Sequence, residues 1–437
     1  MLKGGIMNFI SIKEAMQKGT GEVSIRGWVY RERKSNKFGF IVLRDATDIV
    51  QCIIEKDKVS EKIWADMEKI LIESSCEIHG TIHPEKRAPT GFEIAVSEMS
   101  VVSFAEPFPI NKDQGTEFLL DERHLWIRSR YMTSILKIRS TVFQAIREYF
   151  CSKGFYEYQS PIFTDVQCEG GSTLFQVDYF GHPVYLTQSW QLYAEAGIFS
   201  LEKIFTIAPS FRAERSKTSR HLTEYWHAEM EVAWCGFDGM IEYGEGLIKH
   251  VVNSVLERNR EELKILKRDP AKLKPAIEKP FKRITYDEAL FLLKQKCKLE
   301  IPWGKDLRTI EEDKLTSLFD APVIVTRYPK MIKAFYMRED PENPDVVLGS
   351  DFLLPEGHGE VIGGSEREPD LEKIKERLKA QGEKLENYEF YLDTRRYGSV
   401  PHSGFGLGVE RLVSWICGLE NIKDAIAFPR TMLRWTP

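Results

Sequence analysis

The sequence predicts an α+β chain: a small five-stranded barrel first, then a larger unit of strands and helices running to Pro437. Three observations carry this. Residues from about 20 to 103 break into short alternating strands around one helical segment. Residues 104 to 124 contain Pro107, Pro109, Asn111, Lys112 and Asp113, which reads as a linker. A strongly amphipathic helix then opens a long stretch of mixed strands and helices. At 437 residues the chain can form two or three domains with a large core.

Taken in order, Val23 to Tyr30 alternates as a strand. Phe38 to Arg44 and Ile49 to Glu55 are two more, joined by the turn-forming Asp45-Ala46-Thr47-Asp48. A helix is expected near Ser60 to Leu71, then strands near Cys76 to Ile82 and Phe92 to Ser97. Five strands with one helix between the third and fourth is the pattern of an OB-type barrel. The barrel is therefore assigned to residues 1–104, the linker to 105–124 and the larger unit to 125–437. From Thr133 to Lys153, Ile135, Ile138, Val142, Ile146, Tyr149 and Phe150 share one helical stripe, and Gly154 closes the helix. Residues 241–320 are rich in helix formers and charge, broken by Pro270, Pro275 and Pro280, and read as an insertion between two halves of a sheet.

Composition narrows the function. A formal net charge of −5 excludes a polycation that binds nucleic acid indiscriminately, so any such contact must use local basic surface. Seven scattered cysteines without a C-x-x-C pair argue against a zinc site and for a reducing, cytoplasmic compartment. No apolar run approaches a membrane span, and the start is not signal-like; residues 1–6 read as a short leader before Met7.

The most informative stretch is Phe211-Arg212-Ala213-Glu214, followed by a loop with three positive charges between Arg215 and Arg220, then His221 and Leu222. Behind it, Tyr225, His227, Glu229 and Glu231 fall on one strand face, and Trp226, Ala228, Met230 and Val232 on the other. An antiparallel hairpin results, with Arg212 and Glu214 on one face. A surface hairpin with solvated ion pairs is the plain alternative. Buried, those charges are expensive unless a polyanion binds there, and a nucleotide phosphate chain is the obvious candidate.

Three further segments point the same way. Gly404-Phe405-Gly406-Leu407-Gly408-Val409-Glu410-Arg411 runs into an apolar helix; its alternate glycines let backbone approach a ligand, and Arg411 adds a second cation. It is neither a dinucleotide fingerprint nor a Walker loop. Glu360 leads into Gly363-Gly364 and Arg367; a carboxylate near phosphates commonly holds Mg²⁺, and Arg367 can fork onto a carbonyl or carboxylate. Cys168-Glu169-Gly170-Gly171 and Gln188-Ser189-Trp190-Gln191 can line a pocket for a zwitterion, with Glu169 on the ammonium and Gln191 on polar groups. In the barrel, Phe38, Phe40, Arg26, Arg31 and Gln51 can present aromatics and cations to unpaired bases.

These segments, in this order, resemble the class II aminoacyl-tRNA synthetases. Phe211 through Glu231 is similar to their second signature motif and Gly404 to Arg411 to the third. The helix ending at Gly154, with the strand into Pro161, is similar to the first, which implies a homodimer. The N-terminal barrel marks the aspartate/asparagine/lysine branch, and implies an antiparallel catalytic sheet flanked by helices. Within it, Glu169 to Phe175, Gln188 to Glu195 and Glu224 to His227 resemble asparagine-specific members of archaeal type. Aspartate-specific members carry a lysine where this chain has Ala194. A lysine would neutralise a carboxylate side chain, and an amide does not need it.

The resemblance implies ATP, L-asparagine and tRNA(Asn) as substrates, Mg²⁺ as cofactor, and no membrane. It implies that Glu169 and Glu229 bind the α-ammonium, Gln191 shapes the pocket and Arg367 reads the side chain. Arg212 would bridge the amino-acid carboxylate and the α-phosphate, Glu214 would read adenine, and Arg220, His221, Leu222, Gly408 and Arg411 would complete the ATP site. Glu360 would hold the metal, with Gly363 beside it where relatives have serine. Phe40 and Gln51, with Arg26, would contact the anticodon. The acceptor for the amide NH₂ stays open, with Glu195 one candidate. The rival readings are an aspartate enzyme and an ATP-dependent amide synthetase that uses no tRNA.

Overall fold

The computed structural model describes residues 8–168, 174–214 and 220–437. The chain divides into two compact units, Met1–Gly115 and Thr116–Pro437. Residues 105–115 of the expected linker thus fall with the first unit.

The first unit is a closed barrel in the order β1-β2-β3-β5-β4, with β1 Gly21–Lys34, β2 Phe38–Arg44, β3 Ile49–Glu55, β4 Ser75–Pro84 and β5 Phe92–Ser103. Alternation explains its closure. Ile41 and Leu43 of β2 and Val50, Cys52 and Ile54 of β3 point inward, while Phe38 and Phe40 point out. Helix α1 (Glu61–Lys69) lies between β3 and β4 and contributes Trp64 and Met67 to the barrel core.

The second unit is built on an eight-stranded sheet. Its strands are β6 Tyr156–Glu157, β7 Lys203–Phe211, β8 Glu224–Ala233, β9 Lys282–Thr285, β10 Val323–Thr326, β11 Gly349–Leu354, β12 Gly359–Glu366 and β13 His402–Gly408. The order is β9-β10-β11-β12-β13-β8-β7-β6, antiparallel throughout except for the parallel edge pairs β9/β10 and β6/β7. One face is covered by α2 (Arg130–Ser152), α4 (Phe237–Arg258) and α7 (Val409–Cys417), whose apolar stripes share a core with Met230, Ile362 and Phe405. Ser129 caps α2 by accepting from the Met132 amide, a contact worth about 1 kcal/mol. The other face carries helix α3 (Gln191–Leu201), α5 (Thr309–Thr316) and α6 (Glu389–Arg396), and the ligand cavity described below.

Residues 241–320 fall between β8 and β10 in sequence and contain the sheet strand β9. They are no appendage, however: Ile241, Leu247, Ile248, Val251 and Val252 of α4 are buried in the main core, and β9 forms the sheet's edge. The charge density that suggested an insertion belongs to the outer faces of these elements.

Candidate active site

Register on the open face of the sheet builds the site. Glu229 of β8 stands opposite Gly406 of β13, Gly406 opposite Gly363 of β12, and Gly363 opposite Asp351 of β11. A second row runs Glu231, Gly404, Ser365, Gly349 across the same four strands. Carboxylates thus end the first row, whose middle is glycine. Trp226, Ala228, Met230 and Val232 face the helices instead, as the alternation requires.

Above this floor is a cavity of about 420 Å³ whose lining includes Gln191, Arg212, Glu214, Glu229, Glu231, Asp351, Glu360, Gly363 and Arg367. A smaller one of about 70 Å³ adjoins it, sharing Arg212, Glu214, His227, Glu360 and Gly406 and adding Arg220, His221, Leu222, Gly408 and Arg411. The residues named from sequence for ATP, amino acid and metal in this unit therefore line one or other of two adjoining cavities. The exception is Glu169, which lies outside the described residues.

One end of this space is densely hydrogen-bonded. Glu229 accepts from Ser189 Oγ at 2.5 Å and from the Trp190 amide at 3.0 Å. Arg367 grips Glu231 with Nε and Nη2 at 2.9 and 2.8 Å, and donates from Nη1 to Ser365 Oγ at 2.9 Å. Its guanidinium lies 5.2 Å from the centre of the Tyr336 ring. Burial works against the charge on Arg367, but the carboxylates of Glu231 and Glu195 outweigh it and hold its pKa above the ordinary value.

The other end is cationic. Arg212 follows the last residue of β7 rather than lying within the strand; its amide donates to the Thr223 carbonyl at 2.9 Å. Its guanidinium stands 3.9 Å from Glu214 and 5.6 Å from the centre of the Tyr225 ring. Arg411 donates from Nη1 to the Glu360 carbonyl at 2.5 Å. Arg220 donates from Nη2 to both carboxylate oxygens of Asp313 of α5, at 2.7 and 2.8 Å, a partner the sequence did not suggest. Burial, with the charges of Arg212 and Arg411, pushes the pKa of His227 down to about 3, so this imidazole is neutral.

Between the two ends sits an oxygen-rich corner. A Cβ on Gly363 would lie 2.9 Å from Glu360 Oε1 and 3.8 Å from Asp351 Oδ1, so both carboxylates border the space above that glycine. Asp351 also pairs with Lys333 Nζ at 2.8 Å. Burial, opposed by Lys333 and reinforced by Glu360, pushes Asp351 up to about 6. Burial and the charge of Glu360 push Glu312 of α5 up to about 8. Negative charge is thus in excess here, and a hard divalent cation on oxygen ligands fits it. Gly363 has no side chain with which to hold such an ion; Asp351, its cross-strand neighbour, places a second carboxylate beside that space.

Two expectations change. Glu195 does not line the cavity; it is fully buried behind the wall and engaged with Gln191, Tyr391 and Arg395. Glu231, unassigned from sequence, faces the cavity instead. Ala194 is buried in an apolar cluster with Trp190, Ile198, Ile204 and Ala233.

On the barrel, Phe38 and Phe40 stand 6.4 Å apart on the outer face of β2, and Gln51 donates to Glu93 at 2.5 Å. Phe40 is opposite Arg33, and Arg31 is opposite Val42. Arg26 is not with them: it precedes the part of β1 that pairs with β2, stands opposite Glu77 of β4, and stacks on Phe9. The β-bulge between Val29 and Arg31 shifts this register.

Comparison with known proteins gives a consistent result. Residues 115–432 match the class II tRNA synthetases (D, K and N), and residues 23–102 match the OB-fold nucleic acid binding domain. The chain is 50% identical over 430 residues to the asparagine–tRNA ligase of Thermoplasma acidophilum, covering 98% of this chain and 100% of that one. It is 48% identical over 415 residues to the asparagine–tRNA ligase of Thermococcus gammatolerans, covering 95% and 96%. Among solved structures it resembles asparaginyl-tRNA synthetase from Pyrococcus horikoshii complexed with asparaginyl-adenylate, with a TM-score of 0.95, 44% identity, and coverage of 99% and 100%.

Proposed function

The chain belongs to the class II tRNA synthetases of the aspartate, lysine and asparagine group, and from that premise we propose which residues carry each part of its reaction. The reaction is the ATP-dependent joining of asparagine to tRNA by way of asparaginyl-adenylate. One observation carries the assignment of roles. A single cavity gathers an acceptor for an ammonium group, an arginine for carboxylate and phosphate, and a donor–acceptor pair for an amide.

Glu229, fixed by Ser189 and the Trp190 amide, binds the α-ammonium. Arg367 donates its remaining N–H groups to the side-chain carbonyl, and Glu231 accepts from the amide NH₂. Gln191 closes the pocket. Arg212 lies between the α-carboxylate and the α-phosphate, where its fork neutralises two anions that must approach each other. The carboxylate oxygen attacks the phosphorus in line, pyrophosphate leaves, and Arg212 stabilises the charge that builds on the phosphate oxygens. Arg411, with Arg220 and His221, receives the outer phosphates; Arg220 reaches them by leaving Asp313. Glu214 accepts from the adenine amino group. Neutral His227 adds no charge beside Glu229. In the second step the terminal 3′-hydroxyl of tRNA attacks the activated carbonyl and AMP departs. No protein nucleophile is required.

We assign Mg²⁺ to Glu360 and Asp351; when bound it supplies positive charge to the phosphate oxygens. Phe40 and Gln51 on the barrel contact the anticodon of tRNA(Asn), with Arg31 and Arg33 near the backbone phosphates. The enzyme acts in the cytoplasm as a homodimer joined near β6, where Tyr156 is exposed at the sheet edge. Among the described residues no helix is long and apolar enough to cross a membrane.

Pyrophosphate exchange into ATP, run with asparagine and aspartate side by side, tests the reading, followed by charging of tRNA(Asn). Asparagine-dependent exchange is expected; equal exchange with aspartate would overturn the amide assignment.

A further inference from the structure

Behind Arg367 lies a second buried carboxylate that never reaches the cavity. Glu195 sits one turn after Gln191 on α3 and is fully buried. Its Oε1 accepts from Gln191 Nε2 at 2.8 Å and stands 3.8 Å from Arg367 Nε. Its Oε2 accepts from Tyr391 Oη at 2.9 Å and Arg395 Nη2 at 2.6 Å, and faces His402 Nε2 at 3.0 Å. Burial alone would raise this carboxyl; Arg395, His402 and Arg367 outweigh it and hold it well below the usual carboxylate range.

A buried ion cluster is weak support for a fold, because apolar residues of the same volume commonly serve as well. Its electrostatic effect next door is stronger. Arg367 is the cation nearest the substrate side chain, and two carboxylates surround it: Glu231 bidentately and Glu195 from behind. A guanidinium so compensated still donates hydrogen bonds but offers little net positive potential. Such a site suits a neutral amide and penalises a carboxylate that must shed its water.

We propose that Glu195 is a specificity-determining positioning residue, whose charge behind Arg367 cancels the guanidinium's field in the pocket and so biases the enzyme toward asparagine over aspartate. This rests on the pocket assignment given under Proposed function. Gln191 and Arg395 transmit the geometry; the charge of Glu195 transmits the selectivity.

The test is pyrophosphate exchange with both amino acids for wild type, Glu195→Gln and Glu195→Asp, with aspartate also measured as a competitive inhibitor of the asparagine reaction. The amide of Glu195→Gln can keep the contacts to Tyr391 and Arg395 while removing the charge. It should lower the asparagine-to-aspartate ratio of kcat/KM by about tenfold or more, the effect of a unit charge acting nearby through an effective dielectric of about 20. The change should lie in a lower KM or inhibition constant for aspartate. Glu195→Asp keeps the charge and should keep the ratio even if both rates fall. An equal loss for both amino acids in Glu195→Gln, or loss of discrimination in Glu195→Asp, would overturn the proposal. Should Glu195→Gln fail to fold, Arg395→Gln serves in its place: removing a cation should raise the aspartate inhibition constant, and an unchanged value would count against the idea. Wild type that fails to activate asparagine would instead overturn the pocket assignment itself.

Discussion

Gly404→Ala is a one-methyl change whose consequence can be worked from distances. The glycine sits mid-strand in β13, directly across from Glu231. A Cβ there would stand 2.0 Å from Glu231 Oε2, 2.6 Å from Arg367 Nη2 and 2.5 Å from the Met230 carbonyl. The last is main chain and cannot turn aside, so the methyl must push strands apart or expel the ion pair. Overpacking costs about 1–3 kcal/mol. Disrupting a buried, hydrogen-bonded pair costs roughly 3–5 kcal/mol. If about 3 kcal/mol of that falls on asparagine binding, kcat/KM drops by roughly 150-fold, at about 1.4 kcal/mol per factor of ten. Asparagine-dependent pyrophosphate exchange reads the activity, and a thermal melt reads the fold. Gly406→Ala is the control: its Cβ would meet nothing closer than 3.5 Å, so the fold should hold while a methyl intrudes on the cavity floor. Gly404→Ala retaining exchange within about threefold of wild type, the range of an innocuous substitution, would refute the argument.

Three further outcomes are expected. Arg212→Ala should abolish pyrophosphate exchange by about a hundredfold or more while the melting curve stays close to wild type; near-normal exchange would remove the arginine from its role. Glu312 and Asp351 have pKa values raised to about 8 and about 6, so the native state holds protons that the unfolded chain releases. The stability they lend is present at low pH and is lost as pH rises through about 6 and then about 8. Added Mg²⁺ should therefore raise Tm more at pH 8 than at pH 6, and Asp351→Asn should shrink that difference; equal shifts at both pH values would contradict the metal assignment. Phe40→Ala should weaken tRNA charging through KM for tRNA by roughly tenfold, one lost stacking contact, and leave exchange untouched; a matching fall in exchange would place Phe40 elsewhere.

Much of this architecture could be read from local pattern. Alternation from Tyr225 to Val232 separated ligand face from core face correctly, because a sheet with one wet face imposes period two on its sequence. The five-strand, one-helix spacing gave the barrel. What local pattern missed came from pairing between distant strands. Asp351 lies nine residues before Glu360 and meets it only through the β11–β12 register, which includes a bulge. Its one signal was a lone acid in β11, just before the apolar Phe352-Leu353-Leu354. Asp313, which holds Arg220, lies on a helix far away in sequence. Glu195 was one candidate for the acceptor of the amide NH₂. The packing of Tyr391, Arg395 and His402 around it, invisible in sequence, put it behind the wall. Arg26 shares the outer face with Phe40 but lies farther along β1, before the part that pairs with β2.

The glycine floor also acts as a ruler. From Glu229 to Asp351 the row crosses three strand-to-strand steps, or about 14 Å at the usual sheet spacing. Peptide groups have no rotamers, so nothing on that floor can lengthen or shorten the span. Any molecule that grips both ends at once must match it; under the roles proposed above, that means an ammonium at one end and a phosphate beside the metal site at the other. Variation that retunes the substrate is therefore confined to the walls, while the distance between the two anchors is set by the hydrogen bonds of the sheet itself.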